Sequence, residues 1–280
     1  MFLIIFGFKW SFAQMWGTII DEENGKSIPY VNVWVKNTMV GATTGENGKF
    51  FIEKVKIGDT IRISSLGYLT IEFLAQKKEN MITLKPKINE LDEVIIIPKK
   101  NSFKFTIESY NKIKKNRPWY NNGHYSLARY YEFKPEYEKT PFIDKVSLIA
   151  NNAKKENVIF RIRLVEANTN REPSEKGLFD NIVLECKNGV KEIFLDLNKE
   201  KIVFPESGFF VVIDRLDLKE NESFNKVAKM NILQPAIGME RIDQEKNTWL
   251  GFGGKWLPPS EMKQILGTNR NIAVNIDLTN

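Results

Sequence analysis

The chain has 280 residues, 42% of them hydrophobic and 27% charged, enough apolar material for a sizeable core in about two domains, and it is excluded from the disordered class. Its formal net charge of +6 is localised, because residues 101–145 carry 9 basic against 5 acidic side chains. The single cysteine excludes an intramolecular disulfide, and the single histidine leaves too few imidazoles for a catalytic zinc site of the usual composition.

Residues 1–13 read as a signal peptide. The apolar run Phe2-Leu3-Ile4-Ile5-Phe6-Gly7-Phe8 is too short to span a bilayer, and Ser11-Phe12-Ala13 puts small residues where a signal peptidase reads. Cleavage is expected near Ala13, although no basic residue precedes the apolar run; a buried strand is the competing reading. The expected destination is the periplasm, or the outer membrane and cell surface. No cysteine heads the mature chain, so no lipid anchor is expected.

Residues 14–98 alternate in steps of two. Val31, Val33 and Val35 share one face and Asn32, Trp34 and Lys36 the other, as in a half-buried strand. Asn24-Gly25 and Asn47-Gly48 mark turns, because that pair tolerates the positive φ of tight hairpins. Residues 49–52, 60–64, 69–73 and 81–84 continue the series at the spacing of an antiparallel sandwich.

Gly17, then Ile28-Pro29-Tyr30-Val31, then Thr43-Thr44-Gly45-Glu46-Asn47-Gly48-Lys49-Phe50, then Leu66-Gly67-Tyr68 together resemble the carboxypeptidase regulatory-like domain, a transthyretin-like β-sandwich. Glu46 stands where that family commonly has Asp. The resemblance implies a domain that accompanies other modules and is not itself catalytic. Leu91-Asp92-Glu93-Val94-Ile95-Ile96-Ile97 is similar to the segment that follows such domains in outer-membrane proteins of the Bacteroidota, often ahead of the plug of a TonB-dependent transporter. From the residues alone it is an edge strand of the same sandwich. The roughly 180 residues beyond it are too few for a transmembrane barrel.

Residues 99–122 read as a basic helical linker. Phe103, Ile107, Tyr110 and Ile113 keep helical spacing and Arg117-Pro118 closes the run, so a short amphipathic helix is expected over 102–116. Lys112, Lys114, Lys115 and Arg117 crowd its last turn, where the helix dipole favours cations. With Trp119, Tyr120 and Tyr130 they offer an electropositive aromatic face for an anionic glycan, a lipid headgroup or a partner protein. Single-stranded nucleic acid suits the same pattern but is set aside, because an exported chain rarely meets it.

In residues 123–280, strand-like runs at 125–133, 142–150, 158–165, 182–186, 190–197, 209–213 and 271–278 imply a second antiparallel sandwich of jelly-roll type. Phe160-Arg161-Ile162-Arg163-Leu164-Val165 alternates apolar and basic, whereas Phe209-Phe210-Val211-Val212-Ile213 is continuously apolar, as a strand covered on both faces would be. Residues 158–164, 195–197 and 204–212 resemble a C-terminal domain that follows the regulatory-like domain in Bacteroidota envelope proteins. Cys186 is expected in the core.

His124 would be the sole base for nucleophilic hydrolysis and reads as an exposed loop residue; no nucleophile elbow, Walker loop or dinucleotide signature accompanies it. Glu206, Asp214 and Asp217 are the carboxylates available for glycoside hydrolysis, which needs only two. Trp249 and Trp256 flank a glycine-rich turn, either as platforms for sugar rings or as a hairpin packed on the sandwich. The expectation is an all-β, non-catalytic, exported envelope protein without cofactor or metal that binds protein or glycan. A carbohydrate-binding module is the alternative, with a cryptic glycoside hydrolase behind it.

Overall fold

The computed structural model describes residues 13–76, 80–87, 98–107, 110, 117–119, 124–179, 182–226, 229–241, 247–266 and 270–280. The N-terminal strands are β1 (Ala13–Asp21), β2 (Asn32–Val35), β3 (Gly41–Thr43), β4 (Lys49–Val55), β5 (Thr60–Ser64), β6 (Ile71–Leu74) and β7 (Asn80–Leu84). They form two sheets, β4-β1-β7 and β3-β2-β5-β6, closed over Ile19, Val31, Val33, Ile52, Ile61 and Ile63. This is the transthyretin-like sandwich expected. In β4 Phe50 and Ile52 point inward while Phe51 and Glu53 face solvent, as the period of two requires. β7 runs parallel to β1, a pairing that hairpin spacing does not anticipate.

The C-terminal strands are β8 (Lys104–Ile107), β9 (Arg117–Trp119), β10 (Ser126–Tyr131), β11 (Phe142–Asn152), β12 (Val158–Ala167), β13 (Pro173–Gly177), β14 (Ile182–Cys186), β15 (Gly189–Asp196), β16 (Phe209–Asp214), β17 (Glu222–Asn225), β18 (Met230–Leu233), β19 (Ala236–Arg241), β20 (Thr248–Phe252), β21 (Lys255–Leu257), β22 (Arg270–Ile272) and β23 (Val274–Thr279), with a short helix α1 (Pro259–Leu266). The front sheet runs β13-β12-β16-β10-β20-β21 with β14 beside β12; the back sheet runs β22-β19-β11-β23-β8 with β15 on β11 and β9 on β19. Strands β10, β12, β16 and β20 alternate along the chain with β11, β15, β19 and β23 of the opposite sheet. Leu127, Phe160, Ile162, Val211 and Ile276 fill the space between them. Cys186 lies in this core, and burial pushes its thiol up to about 11.

The expected helix is corrected at its start. Lys104–Ile107 is strand β8, antiparallel to β23 with Phe105 opposite Leu278. Phe105 and Ile107 satisfy a period of two as well as Phe103 and Ile107 satisfy a helix, and the open edge of β23 supplies ladder bonds that a short, costly-to-nucleate helix lacks. The carbonyl of Asn280 accepts from the backbone N–H groups of Lys100 (2.6 Å) and Asn101 (2.7 Å), and its Oδ1 accepts from those of Ser102 and Phe103 (both 2.9 Å). Residues 111–116 of the expected helix, the signal segment 1–12 and Leu91–Ile97 lie outside the described residues. Among the described residues, no helix is long and apolar enough to cross a membrane.

The two sandwiches meet on the face of β2 that alternation assigns to solvent. Asn32 and Trp34 are only 7% and 5% exposed, because the front sheet of the C-terminal half covers them. Backbone bonds cross the junction from His124 N–H to Met39 O and from Asn37 N–H to Gly253 O, both 3.0 Å. Arg161 Nη1 donates to Tyr30 O, and Asp217 N–H donates to Thr43 Oγ1 at 3.1 Å. His124 is therefore not the exposed loop residue expected: it is 2% exposed, wedged against Trp34 and Gly41.

Candidate functional site

The outer face of the front sheet carries three cross-strand rows. In the first, Arg161 on β12, Asp214 on β16, Ser126 on β10, Gly251 on β20 and Trp256 on β21 stand opposite one another in turn. In the second, Arg163, Val212, Ala128 and Trp249 do the same. In the third, Val165, Phe210 and Tyr130 follow. The period of two puts all these side chains on one face, with Phe160, Leu127 and Val211 on the other. Ala128, Val165, Phe210 and Val212 are buried beneath Tyr130, Trp249 and Trp256, whose rings are half-buried. Trp249 meets Phe210 edge to face at 6.0 Å. Trp256 lies so closely over Gly251 that a Cβ there would meet the indole at 2.5 Å.

At the end facing the N-terminal sandwich the chemistry turns ionic. Asp214 is 2% exposed. Its Oδ2 accepts from Arg161 Nε and Arg163 Nε, both at 2.7 Å, and its Oδ1 accepts from Arg163 Nη2 at 2.9 Å and Ser126 Oγ at 2.5 Å. Burial alone would raise this carboxyl, but the two guanidiniums prevail and hold it well below the usual carboxylate range. One carboxylate between two arginines leaves a positive charge over.

That charge faces a cleft of about 110 Å³ between the two sandwiches. Arg62, Lys87, Arg161, Arg163 and Lys255 line it, with Trp34, Trp256 and the hydroxyls of Ser64 and Ser65. Glu175 is the carboxylate on its wall, held by Arg62 Nη2 (3.2 Å) and Thr70 Oγ1 (3.1 Å). Arg62 also donates to Glu72 at 2.8 Å. Five cations thus face Glu175, with Glu72 and Asp214 behind, and the cleft remains electropositive.

A wider groove of about 1100 Å³ opens on another side of the junction, lined by Met39, Lys49, Glu53, His124, Asp217 and Glu222 among others. His124 Nδ1 lies 3.8 Å from Asp217 Oδ2, beyond hydrogen-bond reach, and neither ring nitrogen has a hydrogen-bond partner among the described residues. Burial lowers the imidazole to about 3, so it is neutral. Burial, with Glu222 adding to it, raises the Asp217 carboxyl to about 6.

Of the residues singled out in the sequence, Tyr130, Trp249 and Trp256 come together on this outer face. Arg117 and Trp119 belong to β9, which pairs with β19 in the back sheet, so the backbone separates them from Tyr130. Lys112, Lys114, Lys115 and Tyr120 lie outside the described residues. The three carboxylates are dispersed: Asp214 is locked between arginines, Asp217 lines the wide groove, and Glu206 lines a separate cavity with Phe204 and Pro141. Arg161 and Arg163 were missed as site residues; their alternation was visible, but their neighbours depend on the register of four strands. Among the described residues no group of three His, Cys, Asp or Glu side chains is placed to hold a metal ion.

Residues 15–96 match the CarboxypepD_reg-like domain family. Two TonB-dependent receptors of Formosa agariphila are similar to part of the chain, 31% identical over 100 residues and 35% over 86, or 35% and 30% of its length. The chain spans only 10% and 8% of those receptors. Solved DUF3823 family proteins from Parabacteroides merdae and Bacteroides uniformis overlay 73% and 72% of this chain and 98% and 96% of their own, each at 9% identity. Their TM-scores of 0.20 are too low to carry an inference. The match over residues 15–96, together with the two-sheet core that those residues build, makes the N-terminal sandwich of this chain a carboxypeptidase regulatory-like domain.

Proposed function

We propose that this chain is a non-catalytic, exported protein of the cell envelope that binds glycan on the outer face of its front sheet. The observation that carries the reading is the convergence of Tyr130, Trp249 and Trp256, half-buried, on one rigid sheet face. Flat aromatic surfaces stack on the C–H faces of pyranose rings, and rings already packed on a sheet lose little entropy on binding. The likeness to TonB-dependent receptors supports the envelope as its location. The dispersal of Asp214, Asp217 and Glu206 supports binding without cleavage, since paired carboxylates must flank one glycosidic bond.

The test is titration of the full chain with a panel of neutral and acidic polysaccharides, read by tryptophan fluorescence. Binding abolished by Trp249→Ala or Trp256→Ala supports the reading, and silence across the panel overturns it. A protein partner is the second reading. It is favoured by Trp16 and Phe51, 41% and 47% exposed and directly opposite one another on β1 and β4. Cross-linking from Trp16 in intact cells tests it, a discrete protein adduct supporting it and none opposing it.

A further inference from the structure

We infer that the cleft between the two sandwiches is a binding site for the acidic group of a charged saccharide, a carboxylate or a sulfate, whose ring stacks on Trp256. This rests on the glycan reading above and specifies its ligand. Trp256 is the hinge of the argument, because it belongs to the aromatic face and also lines the cleft. Arg163, Lys87 and Lys255 line the same cleft as Trp256.

The size of the cleft fits. At about 110 Å³ the cleft is roomy enough to hold several waters, and so an anionic group with part of its hydration. The charges also fit. Asp214 accepts from Nε and Nη2 of Arg163, which leaves Nη1 without a hydrogen bond among the described residues and able to meet an oxyanion. Lys255 Nζ lies 5.0 Å over the Phe252 ring, and among the described residues no carboxylate pairs with it or with Lys87. Arg163, Lys87 and Lys255 all line the cleft, and among the described residues Arg163 Nη1, Lys87 Nζ and Lys255 Nζ have no hydrogen-bond acceptor. The second row extends the site, since Arg163 and Trp249 are separated by three strand spacings, about 14 Å, the reach of a short oligosaccharide laid across the strands.

The test uses the full chain and three probes: tetragalacturonate, its fully methyl-esterified neutral counterpart, and a sulfated galactan tetrasaccharide. The acidic probe is expected to bind about tenfold more tightly than the ester, with the advantage shrinking as salt is raised. Lys87→Gln with Lys255→Gln is expected to remove most of that advantage, because the ester offers no charge for either ammonium to meet. The preferred acid is read from the tetragalacturonate and sulfated arms. Equal binding of acid and ester overturns the anion site while leaving the glycan reading standing. Acid binding that is insensitive to the double substitution but lost in Trp249→Ala also overturns the cleft as its location. Failure of all three probes overturns both.

Discussion

The ring centroids of Trp34 and His124 lie 3.9 Å apart across the junction of the two sandwiches, at an interplanar angle of 53°. A residue that alternation assigns to a solvent face thus meets the only histidine in the chain, in a contact that fixes the walls of both cavities. Gly41 makes the approach possible, because a Cβ there would meet Val33 O at 2.6 Å and His124 Cδ2 at 2.7 Å. Gly41→Ala is expected to destabilise the protein by about 1–3 kcal/mol through overpacking. Urea unfolding measures the loss, and a change under about 0.5 kcal/mol would show that the junction yields.

Asp214 is the buried carboxylate shared by the buried Arg161 and the partly buried Arg163, so Asp214→Ala is expected to cost about 3–5 kcal/mol, the range for breaking a buried ion pair by removing one partner. Its carboxyl is held below its unfolded value, so its contribution is present above the unfolded value of 3.8 and is lost as the pH falls through the folded one. The cost should therefore be full near neutrality and shrink in strong acid. Denaturation at about pH 7 and about pH 2.5 separates the two regimes.

Asp217 has the opposite sign. Burial raises its carboxyl from 3.8 to about 6, so the fold favours the protonated acid. That stability is complete below about pH 4 and is lost as the pH rises through about 6. Asp217→Asn is expected to raise Tm by roughly 2–4 °C at pH 7.5, equivalent to about 1 kcal/mol in a chain of this size, and to leave it unchanged at about pH 4. An equal shift at both pH values would rule out titration as the cause.

Gly251→Ala tests the aromatic face without removing an aromatic. The added methyl would occupy space now held by the Trp256 indole. The ring is expected to lift off the sheet, with a red-shifted tryptophan emission and at least about a tenfold loss of saccharide binding, since preorganisation is lost with it. Unchanged emission and affinity would remove Trp256 from the site.

The fold was legible where one face is core. Val31, Val33 and Val35 alternate as they pack, and so do Phe160, Ile162 and Leu164. The opposite faces were not legible in the same way. Asn32 and Trp34 look like solvent residues until a second sandwich covers them, and nothing local in Asn121–Tyr125 shows that His124 will be buried there. Phe103, Phe105 and Ile107 fit both periods, and the choice fell to β23, more than 160 residues away. For the site, Tyr130, Trp249 and Trp256 were recognisable as aromatics beside turns, but their shared face comes from strand order. Asp214 read as a spare acid because its neutralisers, Arg161 and Arg163, are some fifty residues away in the chain.

The position of β23 sets a timetable for the chain. It lies between β11 and β8, and Asn280 ties residues 100–103 to that strand. The back sheet therefore cannot close until the residues around 274–280 have been synthesised, and Leu148, Ile276 and Leu278 cannot share a core before then. Contacts so distant in sequence are slow to form. Until β23 is in place, the edges of β11 and β8 that it covers stand unpaired, and such open edges invite pairing with another chain.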